Sequence, residues 1–171
     1  YALEDRRQVS WDRPDIRTAL ALLFQQYNHF EVRMLAVRGE RLCLGRARWS
    51  DDTGNESTFL SLIEIDDDGS VLYEGRFYED DFESAYGELE RRYYAGEGAT
   101  FAEAGARLTA FVTTLNRGDM DTAFGMFGAA DRQIESRSRS VFPDRTASEL
   151  RGSLDQLRSM VSSVRWWYSA L

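Results

Sequence analysis

The side chains that could support acid–base chemistry are few in this sequence. His29 is the sole histidine, and it lies at a predicted helix-to-strand junction, which favours a surface or capping role over a pocket role. Glu4 and Asp5 belong to a short predicted strand at the start of the chain, where a pocket carboxylate could lie. A salt bridge with Arg6, Arg7 or a residue of a neighbouring strand is the alternative that we favour for both. We therefore assign no catalytic residue and keep Asp5 as a candidate for pocket lining.

Charged and aromatic residues alternate with small or apolar ones along the predicted strands. The charged set consists of Arg46, Arg48, Glu64, Glu74 and Arg76. It could line a polar pocket or interface, but a cross-strand ladder of charges on a solvated face is the interpretation that we favour. The aromatic set consists of Trp49, Tyr73, Phe77, Tyr78, Trp166 and Trp167. It could form a ligand pocket or a dimer face, although core packing is favoured for most of its members. The candidate pocket lining is Asp5, Arg46, Arg48, Trp49, Tyr73, Arg76 and Tyr78.

Neither a metal site nor a nucleotide-binding loop is predicted. One histidine and one cysteine, Cys43, exclude the common zinc patterns. Residues 66–69 are three aspartates and a glycine, but they lack the alternating ligand spacing and the distant glutamate of a calcium loop. The glycine patterns of dinucleotide-binding and phosphate-binding loops are missing as well. We expect no cofactor.

Charge and composition narrow the class of protein. The 171 residues carry a net charge of −8, and all 21 basic residues are arginine, which is typical of GC-rich bacterial genomes. Residues 1–98 contain 12 Arg and 21 acidic residues, and residues 99–171 contain 9 Arg and 8 acidic residues. The acidic first part argues against a nucleic-acid surface. No apolar run predicts a membrane span, and the lone Cys43 favours a reducing cytoplasm as the location.

The period of the hydrophobic residues predicts the sheet that must position these side chains. From His29 to Asp81 the hydrophobic pattern has a period of two, except in Thr58–Ile65, which is apolar on both faces and is predicted to be a central strand. The pattern indicates strands separated by short turns. The four strands are Phe30–Val37, Arg41–Trp49, Thr58–Ile65 and Val71–Tyr78. Because short connections make successive strands antiparallel, we expect a meander. Further single strands are predicted at residues 1–10, 131–142 and 164–171.

Apolar residues at helical spacing predict five helices outside this meander. They span about residues 12–27, 82–94, 101–116, 118–127 and 147–161. Asp12 and the acidic residues 79–81 are expected to begin the first two helices. Thr146 and Glu149 have the spacing of a capping box for the last helix. The glycine-containing stretch 95–99 is the predicted boundary between two parts of the chain.

These two parts share a pattern that indicates a tandem duplication. Residues 3–11 match residues 134–142, and each copy is followed by a helix and then a strand. We expect residues 1–98 to be the sheet-bearing C-terminal two thirds of a first repeat and residues 99–171 the helical N-terminal half of a second. The helices after residue 98 could instead complete the first sheet, as in a permutant or a domain swap. Because the sequence opens with Tyr1, we expect it to be part of a longer chain.

The order of these elements resembles the NTF2-like superfamily in its SnoaL-like branch. Residues 38–51 (RGERLCLGRARWSD) and 77–98 (FYEDDFESAYGELERRYYAGEG) resemble, more closely, repeats found in tandem in large actinobacterial regulatory proteins. The resemblance covers nearly the whole chain. It implies an α+β cone, in which a curved antiparallel or mixed sheet of four to six strands wraps around helices and encloses a pocket.

The resemblance implies two classes of function. The first is a non-catalytic module of a larger cytoplasmic regulatory protein, which binds a small apolar ligand or mediates dimerisation, with itself or with partner domains of the same chain. The second is an enzyme like the ketosteroid isomerases and polyketide cyclases, in which an Asp or His base and a Tyr or protonated Asp act on a hydrophobic carbonyl substrate. We expect the first, because the sequence offers no credible acid–base pair. A structural scaffold with a filled core is a third interpretation.

Overall fold

The computed structural model describes residues 2–6, 16–126, 133–134 and 145–169. The chain divides into two compact units, one formed by Tyr1–Phe101 with Tyr168–Leu171 and the other by Ala102–Trp167. Among the described residues, the first unit contains a sheet, two α-helices and the short 3-10 helix Ala99–Phe101, and the second contains three α-helices and a two-stranded ribbon. The described residues thus form an α+β fold, as expected.

The first unit is built on a mixed sheet, of which five strands are described. These are β1 (Ala2–Asp5), β2 (His29–Arg38), β3 (Leu42–Ser50), β4 (Glu56–Ile65) and β5 (Val71–Phe77). Their spatial order is β1-β5-β4-β3-β2. β2 to β5 are antiparallel neighbours, and β1 lies parallel to β5. The predicted four-stranded meander is confirmed, and β2 is at one edge of the sheet that the described strands form.

Aspartate side chains shape two of the hairpin turns. The Asp51 carboxylate accepts hydrogen bonds from the backbone N–H groups of Thr53 (2.8 Å) and Asn55 (3.0 Å). Asp66 accepts the equivalent bonds in the next turn, from the residues two and four positions on. Gly54 lies in the Asp51 turn, between Thr53 and Asn55, and has a φ of 91°, a conformation that residues with a side chain rarely adopt. The acidic runs that frame the meander are therefore turn-forming residues.

The helix α2 (Phe82–Ala95) packs on one face of the sheet, which we call the α2 face. Its buried apolar residues recur at intervals of three or four, as an amphipathic helix requires. They are Phe82, Ala85, Tyr86 and Leu89. The large apolar strand residues buried most deeply on this face are Leu44, Leu62 and Phe77. Asp81 is the N-cap residue, but its side chain makes no capping hydrogen bond, so the acidic stretch before α2 contributes charge alone.

The helix α1 (Ile16–Gln26) packs on the opposite face, which we call the α1 face. Leu23 and, just after the helix, Tyr27 contact a buried cluster of strand residues. That cluster consists of Ala47, Trp49 and Phe59. The predicted start of this helix, near Asp12, lies outside the described residues.

The second unit contains α3 (Ala102–Arg117), α4 (Met120–Gly125) and α5 (Ala147–Met160), with the ribbon β6 (Gln133–Ile134) and β7 (Arg145–Thr146). Its core consists of Leu115, Met120, Ala123, Phe124 and Ala147. The predicted capping box of α5 is confirmed, because Thr146 and Glu149 each bond the other's backbone N–H. Among the described residues, no helix is long and apolar enough to cross a membrane.

The aromatic segment after α5 differs from the prediction of a strand at residues 164–171. Residues 163–168 form no regular secondary structure. Asn116 explains part of this difference: its side chain bonds the backbone O and N–H of Trp166 (3.0 and 2.7 Å), where a strand would need a partner strand. Ser169 then accepts a hydrogen bond from the N–H of Val37 on β2 (2.7 Å). Of the strand predicted at residues 131–142, the described part is Gln133–Ile134.

Candidate functional site

A groove of about 330 Å³ opens on the α2 face of the sheet. Its lining residues come from β2, β3 and β4 and carry three positive and two negative charges. They are Glu31, Arg33, Arg46, Arg48, Glu56 and Thr58. We call this site the arginine groove.

Ion pairs engage most charges of the arginine groove. Arg48 lies 2.8 Å from Glu56 and 3.7 Å from Glu31, and Arg46 pairs with Glu79. The hydrogen bond from Arg48 lowers the pKa of Glu56. Among the described residues, Arg33 makes no ion pair. Because these side chains are about half exposed, each pair contributes little to stability, and the groove is polar and solvated.

The predicted set of alternating charges is divided between the two faces. Arg46, Arg48 and Glu64 lie on the α2 face, whereas Glu74 and Arg76 lie on the α1 face, because the register of β3, β4 and β5 places them at alternate positions. Arg76 is 7% exposed and donates to Glu74 at 2.7 Å. The five residues therefore do not form one charge ladder or line one pocket.

Tyr73 and Glu4 form the contact that comes nearest to an acid–base pair. The Tyr73 hydroxyl donates to the Glu4 carboxylate at 3.0 Å, and burial raises the pKa of Tyr73. Arg6 also binds Glu4 (2.9 Å), and this hydrogen bond lowers the pKa of the carboxyl. For Glu4 the salt bridge favoured from sequence is thus present, and this carboxyl is ionised at neutral pH. Asp5 lies opposite Arg76 in the register of β1 and β5.

A buried cation on β2 was not among the sequence candidates. Arg38 is 0% exposed, and its Nε donates to Glu90 of α2 at 2.8 Å. Its Nη2 donates to the Tyr86 hydroxyl (2.7 Å) and to the backbone O of Tyr168 (3.0 Å), and its Nη1 donates to Val37 O (2.7 Å). Every contact is to an acceptor, so the charge is compensated in place.

Arg38, Glu90, Tyr86 and Tyr168 form what we call the Arg38 cluster, and its role is structural. Burial, with the nearby Glu90 carboxylate, raises the pKa of Tyr86 to about 12. Tyr86 therefore stays protonated at neutral pH and accepts a bond from the Tyr168 N–H (3.3 Å). A protonated tyrosine and a compensated ion pair stabilise the packing of α2 on β2 and leave no group free to exchange a proton.

His29 takes part in an exposed contact. Its Nε2 lies 2.9 Å from Asp52 Oδ1, and Asn28 donates to the same carboxylate at 2.7 Å. These bonds, that of His29 first, lower the pKa of Asp52. The side chains of His29 and Asp52 are 58% and 76% exposed. The contact ties the start of β2 to the β3–β4 turn, in line with the surface role expected for this histidine.

The predicted aromatic residues are placed in different environments. Trp49, Tyr73 and Phe77 are buried in the sheet, Tyr78 is 44% exposed, and Trp166 and Trp167 lie partly exposed after α5. Of the candidate lining residues, Arg46 and Arg48 share the arginine groove. Trp49 and Arg76 belong to the α1 face, and Tyr73 belongs to the α2 face.

An exposed apolar surface on the α1 face is a feature that sequence reasoning missed. It consists of Phe24 on α1 and Phe30, Val32 and Met34 on β2, which are 65%, 50%, 49% and 50% exposed. Phe24 packs edge-on against the ring of the buried Trp49, and the Phe30 ring is tilted over it, with centroid separations of 5.1 and 4.3 Å. We call these four residues the apolar surface. The alternation of Phe30, Val32 and Met34 in the sequence predicts a strand in which these three side chains share one face. It does not predict that this face is exposed.

Gly45 lets the apolar surface lie flat against the sheet. A Cβ at this position would be 2.9 Å from Val32 Cγ1, and Met34 Sδ lies 3.7 Å from the same point. Val32 and Met34 therefore lean over β3, and their outer sides are left to solvent.

Known proteins that resemble this chain are few, and they identify neither its family nor its function. No protein-family model matches this chain, and no curated protein matches it. The chain is similar to a crystal structure of TerC co-crystallised with polyporic acid, at 18% sequence identity and a TM-score of 0.27. The match covers 43% of this chain and 58% of the TerC chain, so it spans less than two thirds of that protein.

Proposed function

We propose that this chain is a non-catalytic, NTF2-like module of a larger cytoplasmic regulatory protein, and that its first unit mediates dimerisation. The observation that carries the proposal is the apolar surface, in which four large side chains next to each other are each about half exposed or more. Contiguous apolar area of this kind marks interaction sites, whereas singly scattered apolar residues need no explanation. The family resemblance supports the regulatory setting.

The chemistry of the described carboxylates favours this role over acid–base catalysis. A general acid or base working near neutral pH needs a carboxyl pKa that is raised toward neutrality. Glu4, Glu56 and Glu88 instead have lowered pKa values, each because an arginine donates a hydrogen bond to it. The arginine groove is lined by charged groups, which gives a small apolar ligand no complementary wall.

The proposal is tested by measuring self-association of the full chain by light scattering and sedimentation across micromolar concentrations. Val32→Thr combined with Met34→Gln removes apolar contact area while keeping side-chain size. In a symmetric dimer both substitutions act twice, and each half-exposed side chain contributes about 1 kcal/mol when it becomes buried. The dimer dissociation constant should rise at least tenfold.

Leu72→Gln is the matched control, because Leu72 is 43% exposed on β5, away from the apolar surface. It should change the dissociation constant less than twofold. A wild-type chain that stays monomeric throughout would refute dimerisation. Equal effects of the two variants would refute the apolar surface as the interface.

A further inference from the structure

The hydrogen-bonding groups at the outer edge of β2 can be assigned from the sheet register. Successive residues of an antiparallel strand direct their N–H and C=O groups to alternate sides. The N–H of Ile65 on β4 donates to the O of Arg41, so odd-numbered positions of β3 face β4 and even-numbered positions face β2. The β2 partners of Arg46 and Arg48 are Arg33 and Glu31. These two β2 residues therefore bond to β3, and the backbone groups of the residues that alternate with them, Phe30, Val32 and Met34, point outward.

Phe30, Val32 and Met34 thus present both their apolar side chains and their backbone N–H and C=O groups. Among the described residues, no strand pairs with β2 along this stretch. Glu31 and Arg33 alternate with them and point their side chains to the α2 face, where both line the arginine groove. An edge strand with free backbone groups is a ready template for pairing with another strand.

We propose that two copies of this chain pair through β2, antiparallel, about a two-fold axis at Val32, so that their sheets join edge to edge. The inference rests on the proposed dimerisation and gives its geometry. Val32 faces Val32 of the partner subunit, and Phe30 faces Met34 of the partner subunit. Each of these pairs exchanges two backbone hydrogen bonds, as paired strands do.

Charge complementarity selects this register. With the axis at Val32, Glu31 of each copy lies opposite Arg33 of the partner subunit, in the closely spaced type of cross-strand pair. Because only outward-facing positions can bond each other, the neighbouring registers slip the partner strand by two residues. One slip puts Glu31 opposite Glu31 of the partner subunit, and the other puts Arg33 opposite Arg33 of the partner subunit. Like charges directly opposite are destabilising, so both slips are disfavoured.

The surroundings limit the pairing to this stretch. β2 has an irregularity in its register between Met34 and Ala36, and Ser169 already occupies the edge at Val37. On the α1 face of the joined sheet, Phe30, Val32 and Met34 of both copies form one continuous apolar strip. Arg33, which makes no ion pair among the described residues, gains Glu31 of the partner subunit.

Charge exchange in the full chain tests this register. Glu31→Arg and Arg33→Glu, each alone, place like charges opposite one another twice, and each should raise the homodimer dissociation constant at least tenfold. An equimolar mixture of the two variants should form a heterodimer, because arginine then faces glutamate at both positions. The double variant E31R/R33E should dimerise like the wild type. Since Glu31 and Arg33 are exposed, all three variants should fold, and circular dichroism checks this.

Cross-linking gives an independent readout of the axis. In a Cys43→Ala background, Val32→Cys should form an intermolecular disulfide on mild oxidation, because paired residues at the axis have the Cα separation that a disulfide needs. Phe30→Cys alone should not, but mixed with Met34→Cys it should. A dimer that depends on Val32 and Met34 yet is unaffected by E31R, or that cross-links through Phe30→Cys alone, would overturn the register and leave the proposed function standing. A wild-type monomer would overturn both.

Discussion

Arg38 and Glu90 form a buried ion pair across 52 positions of sequence, with Arg38 Nε 2.8 Å from Glu90 Oε1. The pair joins β2 at the edge of the sheet to α2 on its face. Because α2 and β2 contain no other described ion pair with each other, this contact fixes how the helix lies over the end of the strand. The Tyr86 hydroxyl completes the contact by accepting from the same guanidinium.

Arg38→Met should destabilise the chain by about 3–5 kcal/mol, because it leaves the Glu90 carboxylate buried without its cation. Urea unfolding followed by circular dichroism measures the loss. Arg38→Met combined with Glu90→Leu should recover part of it, since no unpaired charge then remains.

Arg41→Met is the matched control, because Arg41 pairs with Asp67 at side-chain exposures of 40% and 84%. A solvated pair of this kind should contribute less than about 1 kcal/mol. A loss from Arg38→Met as small as that from Arg41→Met would show that the buried pair is not a structural anchor.

Tyr86 should make the chain sensitive to alkaline pH. Its folded-state pKa of about 12 lies above the ordinary value of 10.0, so the folded chain binds the phenol proton more tightly than the unfolded chain. The resulting stabilisation is fully present below pH 10 and is lost as the pH rises from 10 to about 12. The free energy of unfolding should therefore fall more steeply in this window for the wild type than for Tyr86→Phe. Parallel curves would contradict the assignment.

Asp51 should remain ionised to unusually low pH. Hydrogen bonds, that from the Asn55 side chain first, lower its pKa from 3.8 to about 2. The stabilisation linked to this shift is present above pH 4 and is lost as the pH falls toward 2. Carboxyl NMR titration should give a midpoint near 2 in the wild type and a higher midpoint in Asn55→Ala. A wild-type midpoint near 4 would mean that the turn does not hold this carboxylate.

Thr146→Ala should destabilise the second unit by about 1 kcal/mol, because it removes the hydroxyl that accepts from the Glu149 N–H at the start of α5. Trp166 fluorescence during urea unfolding is the measurement, since Trp166 packs against the core of that unit. Thr146→Ser should restore the wild-type value. Ser148→Ala, at an exposed position of the same helix, should have little effect.

The meander was predictable because its residues alternate in hydrophobicity and its turns contain Asp and Gly, both of which are local signals. The capping box at Thr146 is local in the same sense. Arg38 could not be recognised, because an arginine next to a glycine is typical of a turn. Its burial depends on Glu90 and Tyr86, which are about fifty positions away.

The apolar surface illustrates a second limit. Alternation in β2 shows that Phe30, Val32 and Met34 share a face, but their exposure depends on β2 being an edge strand with no described neighbour beyond it. Strand order is a property of the whole sheet, and local periodicity does not contain it. For the same reason, the interpretation of the charged residues of β3 and β5 as one cross-strand ladder was wrong. The register of the sheet puts the β3 charges on the α2 face and the β5 charges on the α1 face.

The backbone contacts of Tyr168 and Ser169 with β2 have a consequence for synthesis. Tyr168 follows Arg38 by 130 positions, so it leaves the ribosome on the order of ten seconds later at usual elongation rates. Before Tyr168 appears, Arg38 can bond only the adjacent Val37 O and, once α2 has been made, Glu90 and Tyr86. The Val37 N–H has no acceptor from Ser169 during that time. Closure of the first unit is therefore a late, long-range step, and it should depend on translation continuing through the entire second unit.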